Sequence, residues 1–513
     1  MSTENGTAAA DAVSLETVRP LSPQLTAEYL EYHAILPLQE VDGRLRVATW
    51  RDESELDPHA LDDLRLLLGL PVELVYLPEQ DVRATIRRAY APDTLSAEDV
   101  IAGLDDEIRP AGMEGEAALD DLVSLANEAP VVKLVNLLLL EALEARASDV
   151  HLEQYSNGLR VRYRVDGVLQ DVASPPRRWA AAVVSRLKIM AELDIAERRV
   201  PQDGRIRLRM RDRQIDVRVS TLPTLHGESV VLRLLDKERG TIGLDGLGMA
   251  PDTLQKFVRV ISKPHGIVLA TGPTGSGKTT TLYAAIERIR TGREKIITVE
   301  DPVEYELAGV PQVPVNEKVG LTFATALRAL LRQDPDVMLV GEIRDHDTAE
   351  IATHAALTGH LVLSTLHTND AATALTRLVD LGIEPYLVAS TVEAVLAQRL
   401  VRVICNDCRR PTPPTAEQLR ALRLADDDPI VAATFAGEGC DACRGTGYRG
   451  RRGIYELLVM DDELRQLVQE NAAAGALTRV AIARGMRLLV EDGLRLVREG
   501  VTTIEEVLRV AAM

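Results

Sequence analysis

Aromatic residues, cysteines and long apolar runs are all scarce in this 513-residue sequence. Phe, Trp and Tyr make up 3% of the chain, so its cores must rest mainly on Leu, Val, Ile and Ala, within a hydrophobic content of 46%. The longest apolar stretches, such as VVKLVNLLLLEALEA, contain charged residues and are too short to span a bilayer. Excess positive charge is also lacking, because the formal net charge is −19. This balance disfavours a general nucleic-acid coat, although one basic channel stays compatible with it.

The first residues, MSTENGTAAADAVSLETV, contain neither a basic segment nor a long apolar core, so no signal peptide is expected there. We therefore expect a cytoplasmic protein whose membrane role, if it has one, is peripheral. Four cysteines in so long a cytoplasmic chain favour a metal site or reduced thiols over a disulfide framework. The length itself predicts about three or four domains of roughly 100–200 residues each.

The pattern of elements divides the chain into five segments. Residues 1–19 are expected to be disordered, and residues 20–92 combine helical and strand patterns into a small α+β domain. An acidic linker covers residues 93–121. Residues 122–240 form a second domain that begins with an amphipathic helix. Residues 241–513 form the last domain, in which residues 241–400 alternate apolar strands with helices, as a parallel sheet with crossover helices requires.

Two local patterns stand out in the second domain. HLEQYSNGLRVRYRVDG predicts a hairpin with Asn157–Gly158 as its turn. Further along, arginines alternate with apolar residues and are expected to share one face of a sheet. That face is either simply solvated or meets anionic phosphates or a neighbouring subunit. The alternating residues are Arg205, Arg207, Arg209, Arg211 and Arg213.

A glycine-rich turn lies between an apolar strand and a helical stretch in VLATGPTGSGKTTT, residues 268–281. Residues 272–279 match G-x-x-x-x-G-K-[ST], in which backbone N–H groups and a helix N-terminus surround phosphates. Lys278 is expected to reach the β- and γ-phosphates of a nucleotide, and the Thr279 hydroxyl to bind Mg²⁺. The predicted nucleotide-binding residues are Gly272, Pro273, Thr274, Gly275, Ser276, Gly277, Lys278, Thr279 and Thr280.

Acidic residues follow two further apolar strands. Glu342 comes at the end of a predicted strand over Val337–Val340, where ligands and catalytic groups collect in parallel sheets. Many P-loop enzymes carry Asp where Gly341 stands, so Glu342 is the candidate that polarises the attacking water or holds Mg²⁺ through water. Each acidic residue could instead be an ordinary turn or surface carboxylate. A second group, expected to join the metal and water network, comprises Glu300, Asp301 and Glu304.

Two histidines lie on either side of the apolar strand in TGHLVLSTLHTND, His360 before it and His367 after it. Isolated histidines are usually polar core or surface residues, but the motifs around these two favour sensing of the γ-phosphate or coupling. The following helix is predicted over Ala371–Asp380, with Asn369 as its N-cap.

Two C-x-x-C pairs, CNDC and CDAC, provide four thiolates, the number that tetrahedral structural Zn²⁺ needs. All four would bind the metal and leave no open position for catalysis. A redox dithiol or unligated cysteines are the alternatives. The predicted ligands, in a subdomain at about residues 400–450, are Cys405, Cys408, Cys440 and Cys443.

GPTGSGKTTT, ITVEDPVEY, LLRQDPDVMLVGEIRD, TGHLVLSTLHTNDA and the paired C-x-x-C together resemble the secretion ATPase superfamily. The resemblance is strongest to its type II secretion ATPases, the general secretory pathway protein E family. ASDVHLEQ, VPQDGRI and DVRVSTLPTLHGESVVLRLLD extend it over roughly residues 120–510. The first four motifs correspond to the family's Walker A, Asp box, Walker B and His box.

This resemblance implies a RecA-like ATPase core, preceded by a PAS-like α+β domain and a small N-terminal α+β domain. It implies ATP and Mg²⁺ as ligands, with the nucleotide between the domain over 120–240 and the P-loop domain. Arg218 and Arg233 occupy the positions of arginines that complete the family's catalytic site, beside Lys278, Glu300 and Glu342. Other arginines match residues of that site or of the subunit interface, namely Arg328, Arg332, Arg344 and Arg377.

The resemblance also implies a homo-hexamer, peripheral at the cytoplasmic face of the inner membrane, that drives pseudopilus assembly and protein export by type II secretion. Its N-terminal domain would dock on the cytoplasmic domain of a single-pass membrane protein. A polytopic platform protein and acidic phospholipid are further implied partners.

A type IV pilus extension ATPase is the nearest alternative function. A retraction ATPase is less favoured, since those usually lack the extra N-terminal domain and the cysteines. No nucleic-acid partner is expected, because a translocase needs a basic, aromatic-bearing channel. The presence of Lys278, Thr279 and Glu342 disfavours a nucleotide-binding protein that does not hydrolyse its ligand.

Overall fold

The structure is a computed structural model that describes most of the chain from residue 27 onwards. The predicted disordered segment 1–19, apart from Val18, and the predicted acidic linker 93–121 lie outside the described residues. The described residues are 18, 21, 22, 25, 27–41, 43–52, 56–90, 129–210, 213–236, 242–422, 428, 430 and 434–511.

These residues fall into two compact units, one within 1–117 and 127–141 and the other within 118–126 and 142–513. The first unit contains α1 (Ala27–His33), β1 (Ile35–Val41), β2 (Arg44–Thr49), α2 (Pro58–Leu68), β3 (Val72–Tyr76) and α3 (Glu79–Tyr90). Strand β2 is antiparallel to β1 and parallel to β3. Asp57 begins α2 by accepting the His59 N–H at 3.0 Å, and Gly69 ends it in the left-handed conformation. This arrangement confirms the α+β pattern predicted for the N-terminal domain.

A six-stranded antiparallel sheet occupies the first part of the second unit, with strand order β6-β5-β4-β9-β8-β7. Its apolar face packs against α5 through Trp179, Val183 and Leu187, which are all buried. Helix α4 belongs to the first unit up to residue 141. The elements of this region are α4 (Ala129–Glu144), β4 (Asp149–Tyr155), β5 (Gly158–Val165), β6 (Val168–Ala173), α5 (Arg177–Met190), β7 (Gln202–Met210), β8 (Arg213–Thr224) and β9 (Gly227–Asp236).

The hairpin of β4 and β5 turns one residue earlier than predicted. Tyr155 pairs with Gly158, so the turn consists of Ser156 and Asn157 rather than Asn157 and Gly158. Glycine is required at 158 for another reason. Its φ is 152°, and a Cβ there would lie 3.1 Å from the backbone oxygen of Pro175.

The alternating arginines do not share one strand. Arg205, Arg207 and Arg209 lie on β7, whereas Arg213 begins β8 on the other side of the hairpin turn. Arg211 lies outside the described residues. Arg205, Arg207 and Arg209 alternate along β7 and share one face, as predicted. The prediction was wrong for Arg213, which pairs with Met210 and therefore lies on the opposite face.

A seven-stranded sheet forms the centre of the rest of the second unit, with order β12-β11-β13-β14-β10-β15-β18. Its strands are parallel except for β18, which is antiparallel to β15. A small separate sheet pairs β16 with β17. The strands are β10 (Gly266–Thr271), β11 (Ile296–Glu300), β12 (Gln312–Pro314), β13 (Val337–Val340), β14 (Leu361–Leu366), β15 (Val392–Ile404), β16 (Arg409–Thr412), β17 (Thr434–Gly437) and β18 (Tyr448–Val459).

Helices cover both faces of the seven-stranded sheet, which explains why its inner strands are apolar at almost every position. Along β10, Ile267 and Leu269 face one hydrophobic core while Val268 and Ala270 face the other. The helices are α6 (Pro251–Ile261), α7 (Lys278–Ile289), α8 (Phe323–Leu330), α9 (His346–Leu357), α10 (Ala371–Asp380), α11 (Pro385–Thr391), α12 (Ala416–Leu422), α13 (Asp462–Gln469), α14 (Ala474–Ala483), α15 (Leu489–Arg498) and α16 (Ile504–Ala511). None of the described helices is long and apolar enough to cross a membrane.

Helix α10 has the predicted bounds but a different N-cap. Asp370 caps it by accepting the Thr373 N–H at 2.7 Å. The prediction of Asn369 was wrong because that residue lies one position too early, and its side chain instead accepts a hydrogen bond from Arg399 at 3.3 Å. A cap must reach the N–H groups of the first turn, which Asp370 does.

Candidate nucleotide-binding and catalytic site

The phosphate loop lies between β10 and α7, as the sequence predicts. Gly272 has a φ of 149°, and a Cβ there would lie 2.6 Å from the backbone oxygen of Gln398, so only glycine fits. Gly277 precedes α7 in the left-handed conformation and provides no side-chain cap. The first N–H groups of α7 are therefore available to an anion, which the partial positive charge of the helix end also attracts.

Lys278 is a buried cation held by neutral oxygens. Its Nζ donates to the backbone oxygens of Gly272 at 2.7 Å and Pro273 at 3.2 Å. Burial lowers the pKa of Lys278 to about 8, although nearby Glu342 acts in the opposite direction and Arg399 lowers the pKa further. A buried charge with only neutral partners is costly, and an anionic phosphate would offset that cost.

This pKa predicts that nucleotide affinity falls as the pH rises through 8. The pKa of Lys278 is about 8 in the folded chain and near 10.5 in the unfolded one, so between these values the unfolded chain binds more protons and stability rises with pH. Phosphate oxygens restore the ordinary pKa, so binding above pH 8 takes up a proton. We expect the Kd for Mg-ATP to rise on the order of tenfold between pH 7.5 and 9.5.

Calorimetry at pH 8.5, in two buffers with different heats of ionisation, measures this proton uptake directly. The Lys278→Met variant is the control, since it has no ammonium to protonate and should show a flat pH profile. Binding by the wild type without proton uptake at pH 8.5 would contradict the assignment.

Glu342 follows β13 at the carboxyl edge of the sheet, where it was predicted. Its Oε1 accepts from Arg344 Nη2 at 2.5 Å, and its Oε2 lies 3.2 Å from His367 Nε2. The hydrogen bond to Glu342 raises the pKa of Arg344. The structure therefore brings two other predicted residues, Arg344 and His367, to the carboxylate of Glu342. A carboxylate in this position can accept a proton from water or hold the water shell of a metal ion.

Glu300 lies in a buried hydrogen-bond network beneath the site. Its oxygens accept from the Tyr283 hydroxyl, from Thr298 Oγ1 at 2.5 Å and from Gln312 Nε2 at 3.1 Å. The carboxylate and burial raise the pKa of Tyr283, with burial the larger cause. Since no motif marks Tyr283 or Gln312, the sequence analysis missed both. This network holds the last residue of β11 in place. The rest of the ITVEDPVEY segment, beginning with the exposed Asp301, continues from there.

Three arginines lie directly opposite one another on adjacent strands of the six-stranded sheet. Arg205 on β7 pairs with Arg218 on β8, which pairs with Arg233 on β9. Burial lowers the pKa of Arg218; the charges of Glu304 and Asp301 raise it again, and the other two arginines lower it. Like charges opposite one another destabilise a sheet, so this arginine row is typical of an anion-binding surface.

The arginine row includes two predicted site residues, Arg218 and Arg233, and Arg205, which was predicted only as part of a basic face that is solvated or meets phosphates or a neighbouring subunit. Asp149 was missed as a site residue, although it stands in the ASDVHLEQ motif. Its side chain is nearly buried and accepts from Arg233 Nε at 3.0 Å and from Ser148 Oγ at 2.8 Å. The arginine alternation and the ASDVHLEQ motif marked these two residues, but neither pattern showed that Arg205 would pair with Arg218 or Asp149 with Arg233.

The remaining predicted residues are more dispersed. His360 precedes β14 at the amino edge of the sheet, where its Nδ1 lies 2.9 Å from the backbone oxygen of Ala355. His367 follows β14 at the opposite edge, so the two histidines lie apart, on either side of the strand as predicted, and a sensing or coupling role for His360 stays a prediction. Arg328 lies 3.8 Å from Asp347, Arg332 donates to the Arg328 backbone oxygen at 3.0 Å, and Arg377 lies on α10.

A cavity of about 530 Å³ borders the phosphate loop. Gly277 and Thr280 line one side of it, and Leu247, Cys443 and Tyr455 line others. This volume lies within the usual range for small-ligand pockets. The cysteine-containing segment therefore forms part of the wall of this cavity.

The four predicted metal ligands converge on one point. Their Sγ atoms all lie within 4.8 Å of one another, with separations of 3.9 Å for Cys405–Cys440, 3.8 Å for Cys408–Cys443 and 3.7 Å for Cys440–Cys443. Four sulfurs at zinc–sulfur bond lengths of about 2.3 Å stand about 3.8 Å apart in a tetrahedron. Backbone N–H groups of Gly439 and Gly447 also donate to the sulfurs, at 3.3 and 3.2 Å, which favours thiolates. The donor set thus fits tetrahedral Zn²⁺.

We expect the purified chain to contain one zinc ion, and the Cys405→Ser/Cys440→Ser variant to contain fewer than about 0.1 per chain. Because metal binding and local folding are coupled, the variant should also melt at a temperature lower by several degrees. Atomic absorption and calorimetry measure the two effects. Asp441→Asn, in the same loop, keeps all four thiols and is the control. A metal-free wild type purified with zinc and reductant would contradict the site.

The second unit contains a largely parallel sheet with a phosphate loop after β10 and a glutamate after β13, and a row of arginines lies on a neighbouring sheet. Together these features define a RecA-like P-loop ATPase. The profile described as type II/IV secretion system protein matches residues 124–509, and that of the MshEN domain matches residues 8–95. The chain belongs to the type II/IV secretion system protein family, which confirms the resemblance drawn from its motifs.

Named relatives cover most of the chain. Type II secretion system protein HxcR of Pseudomonas aeruginosa is 51% identical over 441 residues, 86% of this chain and 90% of the relative. Type II secretion system protein E of Xanthomonas campestris pv. campestris is 48% identical over 493 residues, 95% and 84% of the two chains. Type IV pilus assembly ATPase PilB of Myxococcus xanthus is 47% identical over 484 residues, 94% and 84%. The ATPase DotB of Legionella pneumophila shares the fold, with a TM-score of 0.55 and 22% identity. The match covers 74% of this chain and 95% of the DotB chain.

Proposed function

We propose that this protein hydrolyses ATP to drive pseudopilus assembly and protein export through a type II secretion system. The observation that carries the proposal is the similarity of nearly the whole chain to proteins named type II secretion system protein E, with the phosphate loop and Glu342 both present. A nucleotide-binding protein without hydrolysis would not need a carboxylate aligned at the end of β13.

In this proposal Lys278 leaves the backbone oxygens of Gly272 and Pro273 and binds the β- and γ-phosphates. The N–H groups at the start of α7 surround the phosphates, and Thr279 holds Mg²⁺, which would neutralise phosphate charge. Glu342 orients the attacking water and accepts its proton. The cavity beside Thr280 accommodates the base and sugar.

Arg218 and Arg233 have the complementary role of stabilising charge on the γ-phosphate. They lie on a different sheet from the phosphate loop, so a change in that charge alters the attraction between the two sheets. The charges of Glu304 and Asp301 act on Arg218, and in this proposal their carboxylates attract it once phosphate has left. Hydrolysis is thereby coupled to movement of the six-stranded sheet.

The assembly belongs to the same proposal. We infer a homo-hexamer, peripheral at the cytoplasmic face of the inner membrane, with the N-terminal domain docked on the cytoplasmic part of a single-pass secretion protein. A polytopic platform protein and acidic phospholipid are the further partners, and Zn²⁺ has a structural role. Exposed arginines that fit a subunit interface are Arg328, Arg332, Arg344 and Arg377.

Extension of a type IV pilus is the second candidate function, because the PilB relative is 47% identical over 94% of this chain. Deletion of the gene in its own organism separates the two. Type II secretion predicts that exoproteins accumulate inside the cells while surface pili persist, and that the wild-type gene, but not one encoding Glu342→Gln, restores export. Loss of pili with normal export would overturn the proposal in favour of pilus extension. Arg160→Ala, a surface change remote from the site, should restore export fully.

A further inference from the structure

Two consecutive residues of β15 hold the phosphate loop in place. The pairing of β10 with β15 ends at Thr271 and Ala397, so Gln398 and Arg399 stand beside the start of the loop. Gln398 is buried and donates from Nε2 to the backbone oxygen of Ser276 at 2.7 Å. Arg399 lies against the other end of the loop, since a Cβ added to Gly272 would be 3.0 Å from its Nη1.

Arg399 is an unusual cation, because it is 8% exposed and forms no ion pair with any described carboxylate. Its guanidinium donates only to neutral oxygens: Nη1 to Gln398 O at 3.1 Å, and Nη2 to Asn369 O at 2.9 Å and Asn369 Oδ1 at 3.3 Å. The neighbouring cation, Lys278, also has only neutral hydrogen-bond partners. Two buried positive charges with only neutral hydrogen-bond partners lie beside Gly272, so an arriving phosphate would attract both.

Arg399 holds Asn369, which belongs to segment 366–370. This segment also contacts the residue that immediately precedes the phosphate loop. Thr271, the last residue of β10, has its Oγ1 2.7 Å from Thr368 Oγ1 and accepts the Thr368 N–H at 2.9 Å. The same segment contains His367, whose Nε2 lies 3.2 Å from Glu342 Oε2. A continuous set of contacts therefore runs from the phosphate loop through this segment to the catalytic carboxylate.

We propose that Arg399 is a positioning residue that transmits occupancy of the phosphate loop to Glu342 by holding segment 366–370 against the loop. The inference rests on the proposed ATPase function and extends it to a residue that none of the predicted motifs contains. An arriving phosphate attracts the guanidinium, and the bond to Asn369 moves the segment and His367 with it. Arginine suits the role because its planar fork contacts two backbone oxygens at once, which a lysine ammonium on a flexible stem does not reproduce.

Arg399→Lys is the first test, because it keeps the charge and removes the fork. We expect kcat to fall about tenfold while the Kd for Mg-ATPγS changes less than threefold. Arg465→Lys is the matched control. The Arg465 guanidinium likewise donates to one backbone oxygen, that of Ala389, and to one side-chain oxygen, that of Glu393, but at the other end of β15. This control should leave both constants unchanged. An Arg399→Lys enzyme with unchanged kcat would overturn the proposal.

A double-variant cycle tests the route through the histidine. If Arg399 acts through His367, the Arg399→Lys/His367→Gln enzyme should be no slower than the slower single variant. Independent contributions would instead multiply, and that result would overturn the proposed route. A purely structural role for Arg399 predicts loss of thermal stability and of ATPγS affinity together, which would also contradict it.

Hydrogen exchange provides a readout that does not depend on turnover. In the wild type, Mg-ATPγS should protect the amides of residues 366–370 as well as those of the phosphate loop. In Arg399→Lys the loop should stay protected while segment 366–370 exchanges as in the free protein. Equal protection of the segment in both proteins would overturn the inference. If the wild type binds ATPγS but hydrolyses no ATP, the proposed function fails while this measurement still decides the role of Arg399.

Discussion

Replacing Arg218 with alanine is expected to lower the kcat for ATP hydrolysis by about 10³-fold. An arginine that stabilises charge on a transferring phosphoryl group contributes about 10³–10⁵-fold to turnover. Arg218 is the central member of the arginine row, and burial lowers its pKa while the charges of Glu304 and Asp301 raise it. The Kd for Mg-ADP should change little, because the guanidinium is proposed to act on the γ-phosphate, which ADP lacks. Steady-state kinetics and a fluorescent-ADP titration measure the two quantities.

Arg160→Ala is the matched control for this variant. Arg160 lies on β5 of the same sheet, where its guanidinium forms an exposed ion pair with Asp171 at 2.6 Å. Exposed pairs of this kind contribute little to stability, so the control should keep wild-type turnover and melting temperature. An Arg218→Ala enzyme with wild-type kcat would exclude the arginine row from the catalytic site.

Replacing Glu342 with glutamine should lower kcat about 10²–10⁴-fold while nucleotide still binds. The amide keeps the shape of the side chain, and its one oxygen can still accept a hydrogen bond from Arg344 while its NH2 group faces His367, but it does not accept a proton from water. Removing a negative charge near Lys278 should leave ATP affinity equal or higher. Rapid-quench measurement of a single turnover shows whether the chemical step is the one that slows.

Glu350→Gln, an exposed change on α9, is the control for this second variant and should behave as the wild type. The assignment of Glu342 would be contradicted if single-turnover hydrolysis by Glu342→Gln kept the wild-type rate. Loss of nucleotide binding together with turnover would indicate that the carboxylate instead holds the metal ion.

The parts of the fold that the sequence predicts are those with a local cause. The strand Val337–Val340 and the helix Ala371–Asp380 have the predicted bounds, because a short apolar run and an amphipathic period determine them. The phosphate loop follows from glycines that no other residue could replace. The cysteine cluster follows from two pairs whose chemistry requires them to meet.

The parts that the sequence does not reveal depend on contacts between distant segments. Arg399 matters through partners that a sheet places beside it, and its neighbours in sequence give no sign of this. Arg205 and Asp149 stand in patterns that the sequence shows, the arginine alternation and the ASDVHLEQ motif, but those patterns do not show which residues they meet. The choice between Asn369 and Asp370 as N-cap is of the same kind. Both residues can cap a helix, but the side chain of Asn369 accepts a hydrogen bond from Arg399, and Asp370 provides the cap by accepting the Thr373 N–H.

ATP turnover by the purified full chain tests the central claim most directly. It is measured with the chain alone, with the cytoplasmic domain of the single-pass partner and vesicles of acidic phospholipid, and with single-stranded DNA. Lys278→Ala and Glu342→Gln serve as inactive references. The account predicts turnover that the partner and vesicles stimulate, that DNA leaves unchanged and that both variants abolish. Stimulation by DNA alone, or turnover that persists in both variants, would contradict it.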